Sequence, residues 1–127
     1  MKKILCGILA AAMLLSSVPC AFAEGNVYRD IYVDVNGSDS AAGDKASPFA
    51  TLLRAQEEVR KINADMTGDI VVHLGEGTFR LEDRMLFTTE DSGKNGYNVI
   101  WQGAEGDKTA VSGGEQIGGF KASEEYE

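Results

Sequence analysis

Cysteine and histidine are scarce in this sequence. The chain has 127 residues and two cysteines, Cys6 and Cys20, both of which lie near the amino terminus, and its one histidine is His73. A zinc site needs several Cys, His or carboxylate ligands, and beyond Cys20 there is neither a cysteine nor a second histidine to complete one. Disulfides are excluded there too, so the fold must rest on an apolar core and backbone hydrogen bonds.

Basic residues are also few. The chain has 12 Lys and Arg against 20 Asp and Glu, which gives a formal net charge of −8. Binding to nucleic acid or to an anionic membrane surface needs clustered positive charge, so this balance argues against both kinds of partner. The sequence "GEGTF" at 75–79 is no nucleotide loop, because it lacks the third glycine of a dinucleotide fingerprint and the Lys-Ser/Thr of a P-loop.

One long apolar run is present, "ILCGILAAAMLL" at 4–15. It follows two lysines and leads into "SSVPCAFA", which ends in an A-x-A pattern. This order predicts a bacterial-type secretory signal peptide, residues 1–23, that is cut after Ala23. The mature chain, residues 24–127, is then one small domain that is secreted or held in the cell envelope, with no stable membrane insertion.

Two alternatives to free secretion stay open. A membrane anchor would need an apolar run of roughly 20 residues, and the run at 4–15 is shorter. A lipoprotein acylated at Cys20 would need a small residue before that cysteine, and Pro19 stands there instead.

The first part of the mature chain predicts a strand, a loop and a helix. Residues 24–30 form a polar lead-in, and Ile31, Val33 and Val35 then alternate on one face of a strand that ends at Asn36-Gly37. The loop that follows is rich in Gly, Ser, Asp and Ala. Ser47 is placed to cap a helix over 48–63, with Pro48 at its first position. Its apolar stripe is formed by Phe49, Leu52, Ala55, Val59 and Ile62.

The rest of the chain contains a repeated unit. "VVHLGEGTFRL" begins at Val71 and "VIWQGAEGDKTAV" begins at Val99, which aligns Val71 with Val99 and His73 with Trp101. We predict two rounds of three strands, at 70–74, 78–81 and 85–89, then 98–102, 109–112 and 116–120. Repeats of this size stack so that neighbours supply each other's core, and the almost continuous apolar runs favour parallel strands. A small antiparallel sheet is the alternative.

These segments together resemble a known family. "IYVDVNGSDSAAGDKASPFATLLRAQEEV", "GDIVVHLGEGTFRL", "LFTTEDSG" and "AVSGGEQIGGF" are similar to the N-terminal part of secreted right-handed parallel β-helix proteins of the pectate-lyase-like superfamily, most of all the β-helix glycoside hydrolases. The resemblance implies a mainly β fold: the start of a right-handed parallel β-helix, about two coils of three short strands, with an N-terminal strand and a capping amphipathic helix.

The resemblance also implies a function. The chain is expected to be the N-terminal fragment of a secreted carbohydrate-active protein, a glycoside hydrolase or polysaccharide lyase whose partner is a polysaccharide or glycan. In such enzymes the catalytic groups lie on later coils, so we expect them beyond residue 127 and expect this chain alone to be inactive. A non-catalytic surface adhesin or glycan-binding protein is the alternative, because one scaffold hosts many functions.

Within the chain we assign no catalytic, cofactor-binding or metal residue, although several residues are candidates. His73 is a conceivable base, but a single histidine in a strand is more often a packing residue. The acidic residues at 90–93, with Glu76 and Glu105, could supply a pair of carboxylates for glycosidic cleavage, or else are solvated turn residues. The aromatic residues Trp101, Tyr97, Phe79 and Phe87 could form a platform for sugar rings, or else pack in the interior.

The cofactor is unknown, and a structural calcium ion is the one candidate. Asp34, Asn36, Ser38 and Asp39 lie at spacings similar to those of an oxygen-rich calcium loop. The EF-hand pattern fails, because Asp39 stands where the turn glycine belongs and Lys45 where the bidentate glutamate belongs. A calcium site of another geometry and a loop held by Asx turns are the two interpretations left open.

Overall fold

The computed structural model describes residues 25–121, which form five strands and one α-helix. The strands are β1 (Val27–Val33), β2 (Asp69–Leu74), β3 (Gly77–Arg80), β4 (Val99–Gln102) and β5 (Thr109–Ser112), the helix is α1 (Leu52–Ile62), and short 3-10 helices lie at Asn63–Asp65 and Thr89–Asp91. The predicted signal peptide, residues 1–23, lies outside the described residues. Among the described helices none is long and apolar enough to span a membrane.

The strands form two parallel ladders. One sheet has the order β1-β2-β4 and the other pairs β3 with β5, and all of these pairs are parallel. The antiparallel alternative is therefore wrong for this part of the chain. The mainly β architecture, with one helix beside stacked parallel strands, is confirmed.

The prediction of a third strand in each round is wrong. Residues 85–88 and 116–120 have no regular secondary structure. In the first case the segment is held by the helix rather than by a neighbouring strand, because Gln56 Nε2 and Arg60 Nη2 of α1 both donate to the carbonyl oxygen of Leu86, at 3.0 and 3.2 Å. Each round therefore has two strands within residues 25–121.

The register of the repeat differs by one residue from the predicted alignment. Ile70 pairs with Val99, so Trp101 lies beside Val72 and His73 lies beside Gln102. Since side chains alternate along a strand, the observed register puts Val99 and Trp101 in the same inward rows as Ile70 and Val72. The apolar rows thus continue through the core, whereas the predicted alignment would have placed Val99 on the outer face.

The first strand begins earlier than predicted. Residues 27–30, expected to be part of a polar lead-in, belong to β1, and the strand ends at Val33 rather than at residues 36–37. Backbone pairing with β2 does not depend on side-chain polarity, and this pairing holds the polar residues Arg29 and Asp30 in the ladder.

The helix begins at Leu52 rather than at Pro48. Thr51 is its N-cap and accepts a hydrogen bond from the Arg54 amide at 3.2 Å, so Ser47 does not cap it. The buried face of α1 includes Leu52, Ala55 and Val59, which belong to one apolar core. The other fully buried members of that core come from the strands and loops: Ile31, Val33, Phe49, Met66, Ile70, Val72 and Phe79.

The carboxyl end of the outer edge of β1 is covered by the loop at 43–49. The Tyr32 amide donates to the Gly43 carbonyl at 2.8 Å, the Phe49 amide to the Tyr32 carbonyl at 2.9 Å, and the Asp34 amide to the Phe49 carbonyl at 2.9 Å. Phe49 also forms an isolated parallel bridge with Val33. This loop therefore covers the edge at residues 32–34.

Candidate functional site

The outer face of the three-stranded sheet carries a cluster of polar and aromatic side chains. Ile31, Val33 and Val72 are buried, so the alternating residues of β1 and β2 face outward. Tyr32 and His73 are register partners, and their rings stack with centroids 4.6 Å apart and planes 17° apart. The parallel pairing of β1 with β2 thus brings a predicted candidate, His73, against Tyr32, which no local sequence pattern marks as a site residue.

Asp30 completes this cluster. Its Oδ1 lies 2.7 Å from His73 Nε2. Because an ionised carboxylate can only accept a hydrogen bond, Nε2 is the donor, and the imidazole ring is held at one end by Asp30 and across its face by Tyr32. The arrangement fixes the ring on the sheet surface while its side chain stays 32% exposed. The cluster Asp30–Tyr32–His73 can therefore present a rigid, partly exposed polar surface.

A cleft of about 320 Å³ lies beside the cluster, at the carboxyl ends of β1 and β2. Its apolar wall includes Pro48 and Leu74, and its polar groups include Asp34 and Lys45. The complete lining is Tyr32, Val33, Asp34, Lys45, Pro48, His73, Leu74 and Gly75. We call this the β1–β2 cleft.

The two charged residues of the β1–β2 cleft differ in how they are held. Asp34 Oδ1 accepts the Asn36 amide at 2.9 Å and Asn36 Nδ2 at 3.3 Å, as in an Asx turn. Its second oxygen, Oδ2, lies over Gly75, where an added Cβ would come within 2.6 Å of it. Among residues 25–121 no group donates a hydrogen bond to this Oδ2, and Lys45 has no ion-pair partner.

The predicted calcium candidates do not converge on one point. Asp39 Oδ1 accepts the amides of Ala50 and Thr51, both at 2.9 Å, and its Oδ2 accepts the Thr51 hydroxyl at 2.8 Å. Asp39 thus ties the loop to the start of α1, while Asp34 serves its own turn. Within the described part of the chain no group of three or more His, Cys, Asp or Glu side chains is placed to hold a metal ion. The hydrogen bonds favour the interpretation of a loop held by Asx turns.

Of the candidate carboxylates at 90–93, that of Asp91 holds the structure together. Asp91 is buried and accepts Arg60 Nε at 2.7 Å, Arg60 Nη2 at 2.9 Å and the Thr88 amide at 2.7 Å. The hydrogen bond from Arg60, with further help from Thr88, lowers the pKa of the Asp91 carboxyl to about 2 against the opposing effect of burial. A carboxyl that stays ionised at every physiological pH cannot act as a general acid.

Glu76 is also engaged, because its carboxylate forms an ion pair with a lysine. It pairs with Lys108 at 2.7 Å across the two stacked turns, and this hydrogen bond raises the pKa of the Lys108 ammonium. Both side chains are exposed, so the pair contributes little to stability. Glu105 lies in the exposed turn before β5.

The predicted aromatic platform is not formed as one surface. Phe79 is 4% exposed and belongs to the core, and Tyr97 and Trp101 are half-buried against it. Phe87 is exposed and contacts Trp101 edge-on, with ring centroids 5.6 Å apart. For Phe79 the packing interpretation is therefore confirmed.

A second cleft, of about 370 Å³, lies between α1 and the segment at 84–90. Its polar lining includes Gln56 and Arg60, which hold the Leu86 carbonyl as described above. These groups already have partners that fix the segment against the helix. The second cleft therefore has a structural explanation, and the β1–β2 cleft is the stronger candidate site.

Comparison with known proteins gives one informative likeness. No protein-family model matches the chain, and no curated protein matches it. A solved structure described as a glycoside hydrolase superposes with a TM-score of 0.68 at 29% sequence identity. The match covers 75% of this chain and 16% of that one, so the chain spans a small part of the protein that it resembles. The likeness supports a carbohydrate-active fold.

Proposed function

We propose that residues 24–127 are the N-terminal cap and first coils of a right-handed parallel β-helix in a secreted carbohydrate-active protein of the glycoside hydrolase or polysaccharide lyase class. The observation that carries this proposal is the match to a glycoside hydrolase, at a TM-score of 0.68 and 29% identity, over a fold of stacked parallel strands. The proposed assignment to the pectate-lyase-like superfamily rests on the sequence motifs.

The unpaired strands support the proposal of further coils. β4 and β5 each pair on one side within residues 25–121. Val111 of β5 continues the row of Phe79, yet Phe79 is 4% exposed and Val111 is 51% exposed. In a stacked repeat the next coil supplies the missing cover for such a row.

The ion pairs and hydrogen bonds support placing catalysis on those further coils. Asp91, Asp39 and Glu76 each hold a structural partner, as described above. Glycosidic cleavage by two carboxylates needs an acid that can give up a proton and a second carboxylate at a defined separation. We therefore propose that this chain alone cleaves no glycan.

A screen of two proteins tests the proposal: this chain, and a chain extended through the coding sequence after codon 127. Both are incubated with pectin, xylan and fucosylated glycans, and released reducing ends and unsaturated products are measured, since the latter distinguish a lyase from a hydrolase. We expect activity in the longer chain alone. Activity in this chain would contradict the placement of the catalytic groups, and a longer chain that binds glycans without cleaving them would favour the adhesin.

Secretion is the part of the proposal that rests on the sequence motifs at 1–23. Mass spectrometry of protein from the culture medium or periplasm should find Glu24 at the amino terminus. Recovery of an intact Met1, or of a lipid on Cys20, would contradict cleavage after Ala23.

A further inference from the structure

We propose that the β1–β2 cleft binds a neutral glycosyl unit of a polysaccharide chain. This inference rests on the proposed function, because it names the ligand of a site in a carbohydrate-active protein. It adds a binding site in the cap, at a place that needs no later coil.

The charged groups of the cleft match the hydroxyls of a sugar. Asp34 Oδ2 can accept a hydrogen bond, and the Lys45 ammonium can donate up to three, while the described residues supply neither with a partner. A sugar hydroxyl donates and accepts at once, so two adjacent hydroxyls can bond to both groups. Hydrogen bonds to charged groups are the stronger ones, which suits a shallow surface site.

The walls of the cleft match the rest of a sugar ring. Pro48 and Leu74 offer apolar contact, and the Tyr32 ring is held in place by its stacking on His73. His73 is itself fixed by the 2.7 Å hydrogen bond to Asp30. Preorganised walls of this kind lower the entropy lost on binding.

Gly75, which follows β2, lies at the floor of the cleft next to the Asp34 carboxylate. An added Cβ at Gly75 would lie 2.6 Å from Asp34 Oδ2, so a larger residue would push the carboxylate away from its position. The Gly75 amide donates to the Val33 carbonyl at 2.8 Å, which keeps the floor in place.

Charge selects a neutral sugar over an acidic one. A uronate in the cleft would bring its carboxylate near Asp34, and the chain as a whole carries a net charge of −8. Like charges at short range oppose binding. The cleft itself is lined by one carboxylate, Asp34, and one ammonium, Lys45, so a neutral sugar can bond to both, whereas a uronate that paired with Lys45 would also face Asp34.

The test uses the purified full chain with two sets of hexasaccharides, neutral ones built from xylose, glucose or galactose, and galacturonate. Isothermal titration gives the affinity, and amide NMR shifts give the location. We expect a neutral hexasaccharide to bind with shifts at Gly75 and His73. Lys45→Ala and Asp34→Asn should each weaken binding about tenfold, because each removes a hydrogen bond to a charged group.

Two further variants provide a charge-neutral change in the cleft and a control outside it. Gly75→Ala changes no charge yet should weaken binding similarly, by displacing Asp34 Oδ2. Lys94→Ala removes an exposed lysine that does not line the cleft and should bind as the parent does. Circular dichroism and melting curves verify that each variant is folded.

The remaining outcomes separate this inference from the proposed function. Neutral sugars that bind with affinity unchanged by the three cleft variants would overturn the site and leave the proposed function standing. Tighter binding of galacturonate would overturn the choice of a neutral sugar. If no sugar binds here while the longer chain cleaves glycans, the inference alone fails. If the longer chain also neither binds nor cleaves glycans, both fail.

Discussion

Arg60 and Asp91 form a two-point ion pair, with Nε–Oδ1 at 2.7 Å and Nη2–Oδ2 at 2.9 Å, that joins α1 to the turn after β3. The Asp91 side chain is 3% exposed, whereas that of Arg60 is 35% exposed. The carboxylate also accepts the Thr88 amide, which completes a capping box for the 3-10 helix Thr89–Asp91. One buried charge thus holds two segments.

The folded pKa of Asp91, about 2, is below its ordinary value of 3.8, chiefly because Arg60 donates to the carboxylate. Because the folded pKa is the lower one, the stabilisation that Asp91 provides is complete above its unfolded pKa. It is lost as the pH falls through 3.8 toward 2. We expect the contribution to be on the order of 2 kcal/mol. Asp91→Asn should lower the unfolding free energy at neutral pH.

Urea unfolding of the parent and of Asp91→Asn over a pH series measures this contribution. The difference in unfolding free energy between the two proteins should shrink as the pH falls below the ordinary pKa of the carboxyl. Glu105→Gln, at an exposed position away from Arg60, is the control and should behave as the parent does. A difference independent of pH would show that the ion pair is not its source.

Asn63 should also attach the end of α1 to the segment at 90–92. It is 1% exposed, and its Nδ2 donates to the carbonyls of Glu90 at 2.7 Å and Ser92 at 3.1 Å. Asn63→Ala leaves both carbonyls without this donor, so we expect a loss of about 1 to 3 kcal/mol in unfolding free energy. Asn98→Ala, at an exposed position, should lose much less. Equal losses would contradict the role of the Asn63 amide.

Gly37 should tolerate no side chain. Its amide closes a turn on the Asp34 carbonyl at 2.8 Å, and an added Cβ would collide with the carbonyl groups of Phe49 and Pro48. We expect Gly37→Ala to lower stability by about 1 to 3 kcal/mol, as overpacking does. At Gly113 an added Cβ would meet nothing within 4 Å, so Gly113→Ala is the matched control in thermal melts. Similar melting temperatures for the two variants would refute the close approach.

Asp39 should stabilise the start of α1 without a metal ion. It accepts the amides of Ala50 and Thr51 and the Thr51 hydroxyl, so Asp39→Ala should lower stability by about 1 to 2 kcal/mol in chelator. Melting curves with added calcium complete the test. A rise in melting temperature for the parent, absent in the variant, would support the calcium loop instead.

The exposed row over Phe79 should make the isolated chain self-associate. Unpaired strand edges with apolar side chains invite pairing with other chains, and Val111 is 51% exposed on β5. Val111→Lys should reduce association in light scattering and sedimentation. Val27→Lys places the same charge at an exposed valine of β1 and should not. A parent that stays monomeric and unfolds in one sharp transition would contradict this prediction.

Local patterns predicted some elements of this fold well. The period of Leu52, Ala55 and Val59 predicted the helix, and the apolar runs predicted β2 and β5 closely. The start of α1 was missed because Ser47-Pro48 is a good local cap signal, while the actual cap, Thr51, is supported by Asp39 from across the loop. The expected third strand of the first round failed because Gln56 and Arg60 bind the backbone of that segment at Leu86.

The candidate site was harder to predict than the elements. His73 was considered, but its partner Asp30 lies 43 residues earlier in the chain, and no local signal links the two. The β1–β2 register makes the contact, and that register follows from which residues the core buries. With β1 placed to begin four residues later than it does, Asp30 was assigned to a lead-in and could not be paired with His73.

The loop at 43–49 makes the two edges of the three-stranded sheet different. It bonds to the backbone of Tyr32 and Asp34 at the carboxyl end of the free side of β1, whereas β4 offers its groups on the opposite side. Strand addition is therefore hindered at that end of β1 and remains open beside β4. Folding can then follow the order of the strands along the chain, because β1, β2 and β4 pair in that order.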